Sequence, residues 1–183
     1  MGKWLTMLPA GLVWGVLICM QAGCVGPGAV QPRPSWHQVK SGCFETREGR
    51  FFYGIGRAAG VRNPMLLRAA ADNRARKELA DVLEHYVLEL AGTVPGNLDP
   101  NWATLAAGER RQILGTVARQ AMRQAVICEH WNEPRDGALL SLCRLSLLDF
   151  KMVLSASGVL DDAMRSAMVS GAERVHTRLA RKL

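Results

Sequence analysis

The sequence predicts an α+β fold in which a small antiparallel sheet packs against one long helix. Three observations support this prediction: a short aromatic strand near residues 51–56, a hairpin pattern over residues 125–148, and a helical pattern over residues 64–91. Further helices are expected near residues 103–123 and 160–183. Of the 183 residues, 49% are hydrophobic and 21% are charged, which is typical of a single folded domain with a real core.

The aromatic strand reads Phe-Phe-Tyr-Gly-Ile-Gly over residues 51–56. Alternate side chains of an extended chain point to opposite faces, so Phe51, Tyr53 and Ile55 are expected on one face. Phe52 and the two glycines then share the other face. Glycines in a strand ease the close approach of a helix, which is the interpretation favoured here.

The long helix is expected to begin at Asn63-Pro64 and to end before Gly92. Asparagine accepts hydrogen bonds from the free amides of a first helical turn, and proline suits the first helical position because no donor is needed there. Glycine is a common helix terminator. An apolar stripe with helical spacing is predicted to face the core and consists of Leu79, Val82, Leu83, Tyr86, Val87 and Leu90.

Two more helices are expected downstream. The first, near residues 103–123, follows Asp99-Pro100, which repeats the pattern of a cap and a proline. The second covers residues 160–183 and ends in basic residues, which the negative end of a helix dipole favours. Its inward side chains are expected to be Leu160, Ala163, Met164, Ala167, Met168, Val175 and Leu179.

The hairpin is expected to turn through Pro and Asp-Gly, residues suited to tight turns. A four-residue loop over residues 134–137 would place Cys128 directly opposite Cys143. Opposed Cα atoms in antiparallel strands lie about 4.5–5.5 Å apart, within disulfide range. We therefore predict a disulfide between these cysteines. The alternatives are two buried free thiols, or a two-residue loop at Asp136-Gly137 that would shift the register.

The start of the chain has the features of an export signal. Residues 16–24 end an apolar run with Ala22-Gly23 and then Cys24, and Lys3 is the only charge before that cysteine. The apolar run over residues 11–20 is shorter than the roughly 20 residues of a membrane span. A basic start, a short apolar segment and small residues at the cut are what export requires. The pattern predicts a bacterial lipoprotein signal with Cys24 as the lipidated residue.

This signal sets the predicted domain organisation. Residues 1–23 would be the signal peptide, residues 24–35 the acylated cysteine with a flexible tether, and residues 36–183 one envelope domain. Gln21 stands where most such signals carry an aliphatic residue, so an ordinary signal peptide or an uncleaved anchor helix remains the alternative. Val25 rather than aspartate follows the cysteine, which by resemblance to known sorting signals favours the outer membrane.

No catalytic, metal or cofactor site is expected. The glycines at 54, 56 and 60 follow a strand, but their spacing departs from a dinucleotide fingerprint and no parallel βαβ pattern follows. His85 and Glu89 share a helix face but are too few ligands for a metal.

The net charge is +7, and in an exported protein anionic lipid, cell-wall polymer or an acidic protein is a more suitable partner than nucleic acid. A candidate contact patch on the long helix comprises Arg68, Arg74, Arg76 and Lys77; the alternative is a solvated face.

Several motifs together resemble one family. They are Pro-Ser-Trp at 34–36, Tyr-Gly-Ile-Gly at 53–56, the Ala-Asp-x-Arg-Ala-Arg-x-Glu-Leu-Ala helix at 71–80, and the turn from Trp131 to Gly137 with the Leu-rich strand after it. The chain resembles bacterial outer-membrane lipoproteins of the LPP-twenty type and the related flagellar outer-membrane accessory lipoproteins. The resemblance covers roughly residues 36–150. It implies a small α+β domain in a non-enzymatic envelope lipoprotein.

The expected function is that of a lipid-anchored module that binds an envelope protein or the cell wall, without an enzymatic activity and without a cofactor other than the lipid on Cys24. It is expected to face the periplasm from the outer membrane. Two alternatives remain open: an envelope enzyme or small-ligand carrier with a cleft between sheet and helix, and a flagellum-associated component.

Overall fold

The computed structural model describes residues 34–96, 98 and 100–182. A sheet of five strands lies at its centre, in the spatial order β3-β4-β2-β1-β5. Neighbouring strands among the first four are antiparallel, and β5 lies parallel to β1 at the edge. The strands are β1 Gly42–Thr46, β2 Gly49–Ala58, β3 Val126–Asn132, β4 Leu139–Ser146 and β5 Arg181–Lys182.

Helices pack against one face of this sheet, which confirms the predicted α+β fold. They are α1 Pro64–Ala91, α2 Pro100–Thr104, α3 Ala107–Met122, α4 Leu147–Ser155 and α5 Asp162–Leu179. A short 3-10 turn, Ser35–Gln38, precedes the first strand and lies against the opposite face of the sheet.

Helix α1 has the predicted bounds at both ends. The Asn63 side chain accepts hydrogen bonds from the amides of Met65 and Leu66, so the cap functions as expected. At the other end Gly92 follows the helix in a right-handed conformation, so it does not use the left-handed cap that glycine often provides. The predicted apolar stripe lies in the core, with Val82 only partly buried.

The sequence did not reveal strand β1. Gly42–Thr46 is short and half polar, and it pairs with β2 through a two-residue turn at Arg47-Glu48. That turn lacks the Asn-Gly or Asp-Gly pair that identifies a hairpin in a sequence. Because β1 pairs with it, the aromatic strand β2 is central in the sheet, with β1 on one side and β4 on the other.

The core is divided by the sheet into two main clusters. On the helix face, Phe52 packs edge-on against Tyr86 and beside Phe150, with ring centroids 4.7 and 5.5 Å apart respectively. On the opposite face, here called the open face, the cluster consists of Trp36, Phe44, Tyr53, Trp131, Leu140 and Leu142, with Val39, Phe51 and Ile55 at its margin. The predicted division of residues 51–56 between two faces is confirmed.

Two helical predictions need correction. The helix expected over residues 160–183 begins at Asp162, capped by the Asp161 side chain, and ends at Leu179. The residues after it turn away from the helix and add strand β5 to the sheet, because the edge of β1 offers unpaired backbone groups. The helix expected near residues 103–123 is two helices, α2 and α3.

Candidate functional site

The contact between β2 and α1 is closer than ordinary side chains allow. A Cβ atom on Gly54 would overlap the Ala75 carbonyl oxygen and the Leu79 amide nitrogen of α1. A Cβ atom on Gly56 would overlap the backbone of Ala71 and Ala75. The Gly-x-Gly pair therefore lets the helix backbone rest on the strand, as the packing interpretation of the sequence predicted.

A polar cluster lies beside this contact. Asp72 of α1 accepts a 2.7 Å hydrogen bond from the Ser141 hydroxyl of β4, and its same oxygen lies 2.7 Å from His130 Nε2 of β3. Ser141 is fully buried, and the other two side chains are partly buried. The cluster joins the long helix to two strands of the sheet. The sequence placed Asp72 in the helix motif but gave no signal that Ser141 or His130 would meet it.

The order of these three groups does not suit nucleophilic catalysis. In a hydrolytic triad the imidazole stands between the serine and the carboxylate, so that it can take the hydroxyl proton. Here Asp72 stands between Ser141 and His130, and the hydroxyl donates a hydrogen bond to the carboxylate. The arrangement satisfies a buried hydroxyl and fixes the helix on the sheet.

The predicted disulfide between Cys128 and Cys143 is wrong, and all three cysteines of the described chain are free thiols. The hairpin has the expected four-residue loop, and residues 129–132 follow the expected register. A β-bulge at Cys128 then shifts the register by one, so that Ile127 pairs with Cys143. Cys143 is buried on the helix face, while Cys128 is exposed and its Sγ contacts the Leu142 carbonyl oxygen.

Cys43 is the third thiol, and it lines a cleft of about 380 Å³ between β1, α1 and the end of α5. Burial raises the pKa of Cys43 to about 12, so its thiol is protonated at neutral pH and is a poor nucleophile. The ionisable groups that line the cleft are Cys43, Glu78, Asp81, His85, Tyr86 and Arg181. Within the described residues, no group of three or more acidic, cysteine or histidine side chains could hold a metal ion.

The predicted basic contact patch lies on the surface of α1, where all four members are exposed: Arg68, Arg74, Arg76 and Lys77. Lys77 pairs with Asp81 at 2.7 Å, and Arg74 donates a hydrogen bond to the carbonyl oxygen of Arg57. Successive helical residues are rotated by about 100°, so Arg68 and Arg76 lie on one side of the helix and the other two lie on another. The patch as a binding surface stays a prediction.

The predicted lipidation residue, Cys24, lies outside the described residues, as do the signal peptide and most of the tether. None of the helices in the described part of the chain is long and apolar enough to cross a membrane.

No protein-family model matches the chain, and no curated protein matches it in sequence. The resemblance to outer-membrane lipoproteins of the LPP-twenty type therefore rests on the sequence motifs, and it stays a prediction.

Proposed function

We propose that the chain is a lipid-anchored protein of the bacterial cell envelope, and that its folded domain is a non-enzymatic binding or structural module. Cys24 carries the lipid, and the domain faces the periplasm from the outer membrane. The partner is another envelope protein or the cell-wall polymer. The proposal needs no cofactor beyond the covalent lipid.

The observation that carries the proposal is the short spacing between Cys24 and the domain. Pro34 already contacts the domain, since its carbonyl oxygen lies 2.6 Å from His37 Nδ1, and Trp36 is buried on the open face. Ten residues separate Cys24 from Pro34, and a fully extended chain of that length spans at most about 36 Å. A lipid on Cys24 would hold Pro34, where the domain begins, within that distance of a membrane.

The chemistry of the described domain supports a non-enzymatic role. The Ser141 hydroxyl is committed to Asp72, and burial keeps the Cys43 thiol protonated. The closest approach of helix and sheet is filled by the α1 backbone at Gly54 and Gly56. Each of these groups contributes to the stability of the fold. In this proposal, binding therefore takes place on the surface of the domain.

Fractionation of cells that express the full chain tests the proposal. We expect the wild-type protein in the outer-membrane fraction after a high-pH wash, and we expect Cys24→Ser in the soluble fraction or as an unprocessed precursor. Cys128→Ser is the matched control, because it also replaces one cysteine with serine but should leave the protein in the membrane. Release of the wild type by the wash, or retention of the processed Cys24→Ser variant, would contradict the proposal.

A second candidate function, a small-ligand carrier, is favoured by the cleft beside Cys43. The cleft lies between the sheet and α1 and combines an apolar floor with acidic, imidazole and guanidinium groups. Native mass spectrometry of the purified protein tests this alternative. A carrier should retain a small molecule that Val82→Trp, which would fill the cleft, releases; the same mass for both proteins, apart from the substitution, argues against a carrier.

A further inference from the structure

Three large apolar side chains are exposed together at the start of α1. Val61 in the preceding loop is 36% exposed, and Met65 and Leu66 in the first helical turn are 77% and 61% exposed. Asn63 caps this turn and Pro64 occupies its first position, so the apolar side chains are held on a fixed scaffold. We refer to Val61, Met65 and Leu66 as the apolar tip.

The sequence around the apolar tip is basic. Residues 49–71 contain four arginines and no acidic residue. Arg62 and Arg68, which flank the tip, are both exposed. Asp136 of the hairpin loop pairs with Arg57, and Asp72, one helical turn after Arg68, is bound to His130 and Ser141. An apolar group with arginines around it is complementary to a phospholipid surface, which offers acyl chains beneath a layer of phosphate.

The register of the sheet relates the tip to the tether. The loop that leads to the tip leaves β2 after Ala58, and Arg57 lies in the same row of the sheet as Leu140 and Trp131. His37 packs edge-on against Trp131 with ring centroids 5.0 Å apart, and the Pro34 carbonyl oxygen contacts His37. The tether therefore joins the domain on the open face, beside the row that contains Arg57 and Trp131. The tip loop departs from the next row, at Ala58.

We propose that the apolar tip docks onto the phospholipid surface that holds the acyl chains of Cys24. Met65 and Leu66 enter the boundary between headgroups and acyl chains, and Arg62 and Arg68 contact lipid phosphates. The ten residues from Cys24 to Pro34 span up to about 36 Å when extended, and lipid and tip would together hold the domain at two points. This inference rests on the proposed lipidation, and it adds a fixed orientation of the domain on the membrane.

A second exposed apolar pair provides an internal control. Leu148 and Met152 of α4 are 68% and 56% exposed. Helix α4 follows β4 directly at Ser146, whereas the tip lies near the other end of that strand, where Leu139 pairs with Ala58. The charges near α4 are mixed, since Lys151 pairs with Glu173. Met65 and Met152 thus report two similar apolar surfaces in different electrostatic surroundings.

Methionine oxidation on the acylated full-length mature protein tests the proposal. The protein, purified from membranes, is placed in vesicles of phosphatidylethanolamine and phosphatidylglycerol or in neutral detergent micelles, and it is then treated with hydrogen peroxide. Oxidation of Met65 to the sulfoxide is expected to be about tenfold slower in vesicles than in micelles, because a tip that is docked nine-tenths of the time is exposed for only one-tenth. The rate of Met152 oxidation should differ by less than about twofold between vesicles and micelles.

The double variant Arg62→Glu with Arg68→Glu should remain in the vesicles through its lipid but lose the protection of Met65. Equal protection of Met65 and Met152, or no protection of either, would overturn the docking of the tip. Protection of Met65 in native membranes but not in purified vesicles would also overturn it, and would indicate a protein partner. If the intact mass shows no acyl chains, the proposed function fails instead, and this is known before the oxidation begins.

Discussion

The two faces of the sheet are covered in different ways. On the helix face, α1 rests directly on the β2 backbone at Gly54 and Gly56, and the largest side chains beneath it are fully buried. On the open face, the main cover is the four-residue turn Ser35–Gln38, which places Trp36 over the aromatic side chains. The helix face depends on a helix of 28 residues whose backbone meets the strand at two glycines, whereas the open face depends strongly on one side chain.

This difference bears on the proposed function, because the tether joins the domain through the weaker cover. A force on the tether would act first on Trp36 and its contacts. Substitutions on the two faces should therefore differ in how far they lower the free energy of unfolding and in how many elements they affect.

Gly54→Ala should cost the most stability. The added Cβ meets helix backbone on two sides, and no side-chain rotation can relieve the clash. We expect the free energy of unfolding to fall by about 3 kcal/mol or more in urea titrations. Gly108→Ala in α3 is the matched control, because its Cβ points into open space and alanine favours a helix by up to about 1 kcal/mol. Equal effects at both glycines would contradict the close contact of α1 and β2.

Trp36→Ala should weaken the open face alone. Trp36 is 4% exposed, and its indole nitrogen donates a hydrogen bond to Glu129 of β3. We expect a loss of about 2–3 kcal/mol in the free energy of opening the open face, measured as faster amide exchange in residues 35–39, with little change in α1. Trp36→Phe keeps most of the apolar cover and should lose only about 1 kcal/mol. Faster exchange throughout α1 would show that the two faces open together.

Asp72→Ala should break the polar connection between α1 and the hairpin. Ser141 is fully buried and would lose its acceptor, so we expect a cost of about 2 kcal/mol in the free energy of unfolding. Asp81→Ala on the same helix removes an exposed carboxylate that pairs with Lys77, and it should cost less than about 0.5 kcal/mol. A similar loss of free energy for both substitutions would show that the polar cluster stabilises the fold no more than an exposed ion pair does.

The helix face should also respond to acid through His176. This side chain is fully buried beside Phe52, and burial lowers its pKa. The unfolded chain, with a histidine pKa of about 6.5, takes up the proton first, so stability is full above that pH and falls as the pH drops toward the folded pKa. We expect a lower melting temperature at pH 5 than at pH 7.5, and a smaller difference for His176→Phe. An unchanged difference in that variant would exclude His176 as the cause.

The three thiols should react with a thiol reagent at different rates, and substitution of the exposed one should have the smallest effect on stability. Burial raises the pKa of Cys43 to about 12 and that of Cys143 to about 11; partial burial also raises the pKa of Cys128, but among these three thiols only Cys128 is exposed. In native protein, a thiol reagent should label Cys128 first and the other two only after unfolding. Cys128→Ser should change stability by less than about 0.5 kcal/mol. A mass two hydrogens lower in the purified protein would indicate the disulfide that the β-bulge contradicts.

The parts of the fold that the sequence could predict are those with a local cause. Asn63 and Pro64 act within one turn of themselves, so the start of α1 was predicted correctly; the helix also ends before Gly92 as expected, although that glycine is right-handed. The alternation of residues 51–56 fixes their faces wherever the strand lies in the sheet. The hairpin loop was also predicted correctly, because Pro134 and Gly137 determine it locally, and Gly137 has a positive φ of 67°.

The parts that could not be predicted depend on distant contacts. The bulge at Cys128 is a change of register five residues from the hairpin loop, where Ile127 rather than Cys128 pairs with Cys143. Strand β5 exists only because β1 offers an open edge, and β1 itself lacked a turn signal. In the polar cluster, Asp72 is separated from His130 by 58 positions and from Ser141 by 69 positions. Spacing in the sequence alone therefore could not show that these side chains meet.

The intact mass of the protein extracted from native membranes would decide whether Cys24 is the membrane anchor. We expect a chain that begins at Cys24 and carries acyl groups on that residue. A chain that begins at Met1, or a processed chain without lipid, would contradict this expectation. Such a result would leave the fold in place, but it would remove the membrane anchor from which the domain's orientation was inferred.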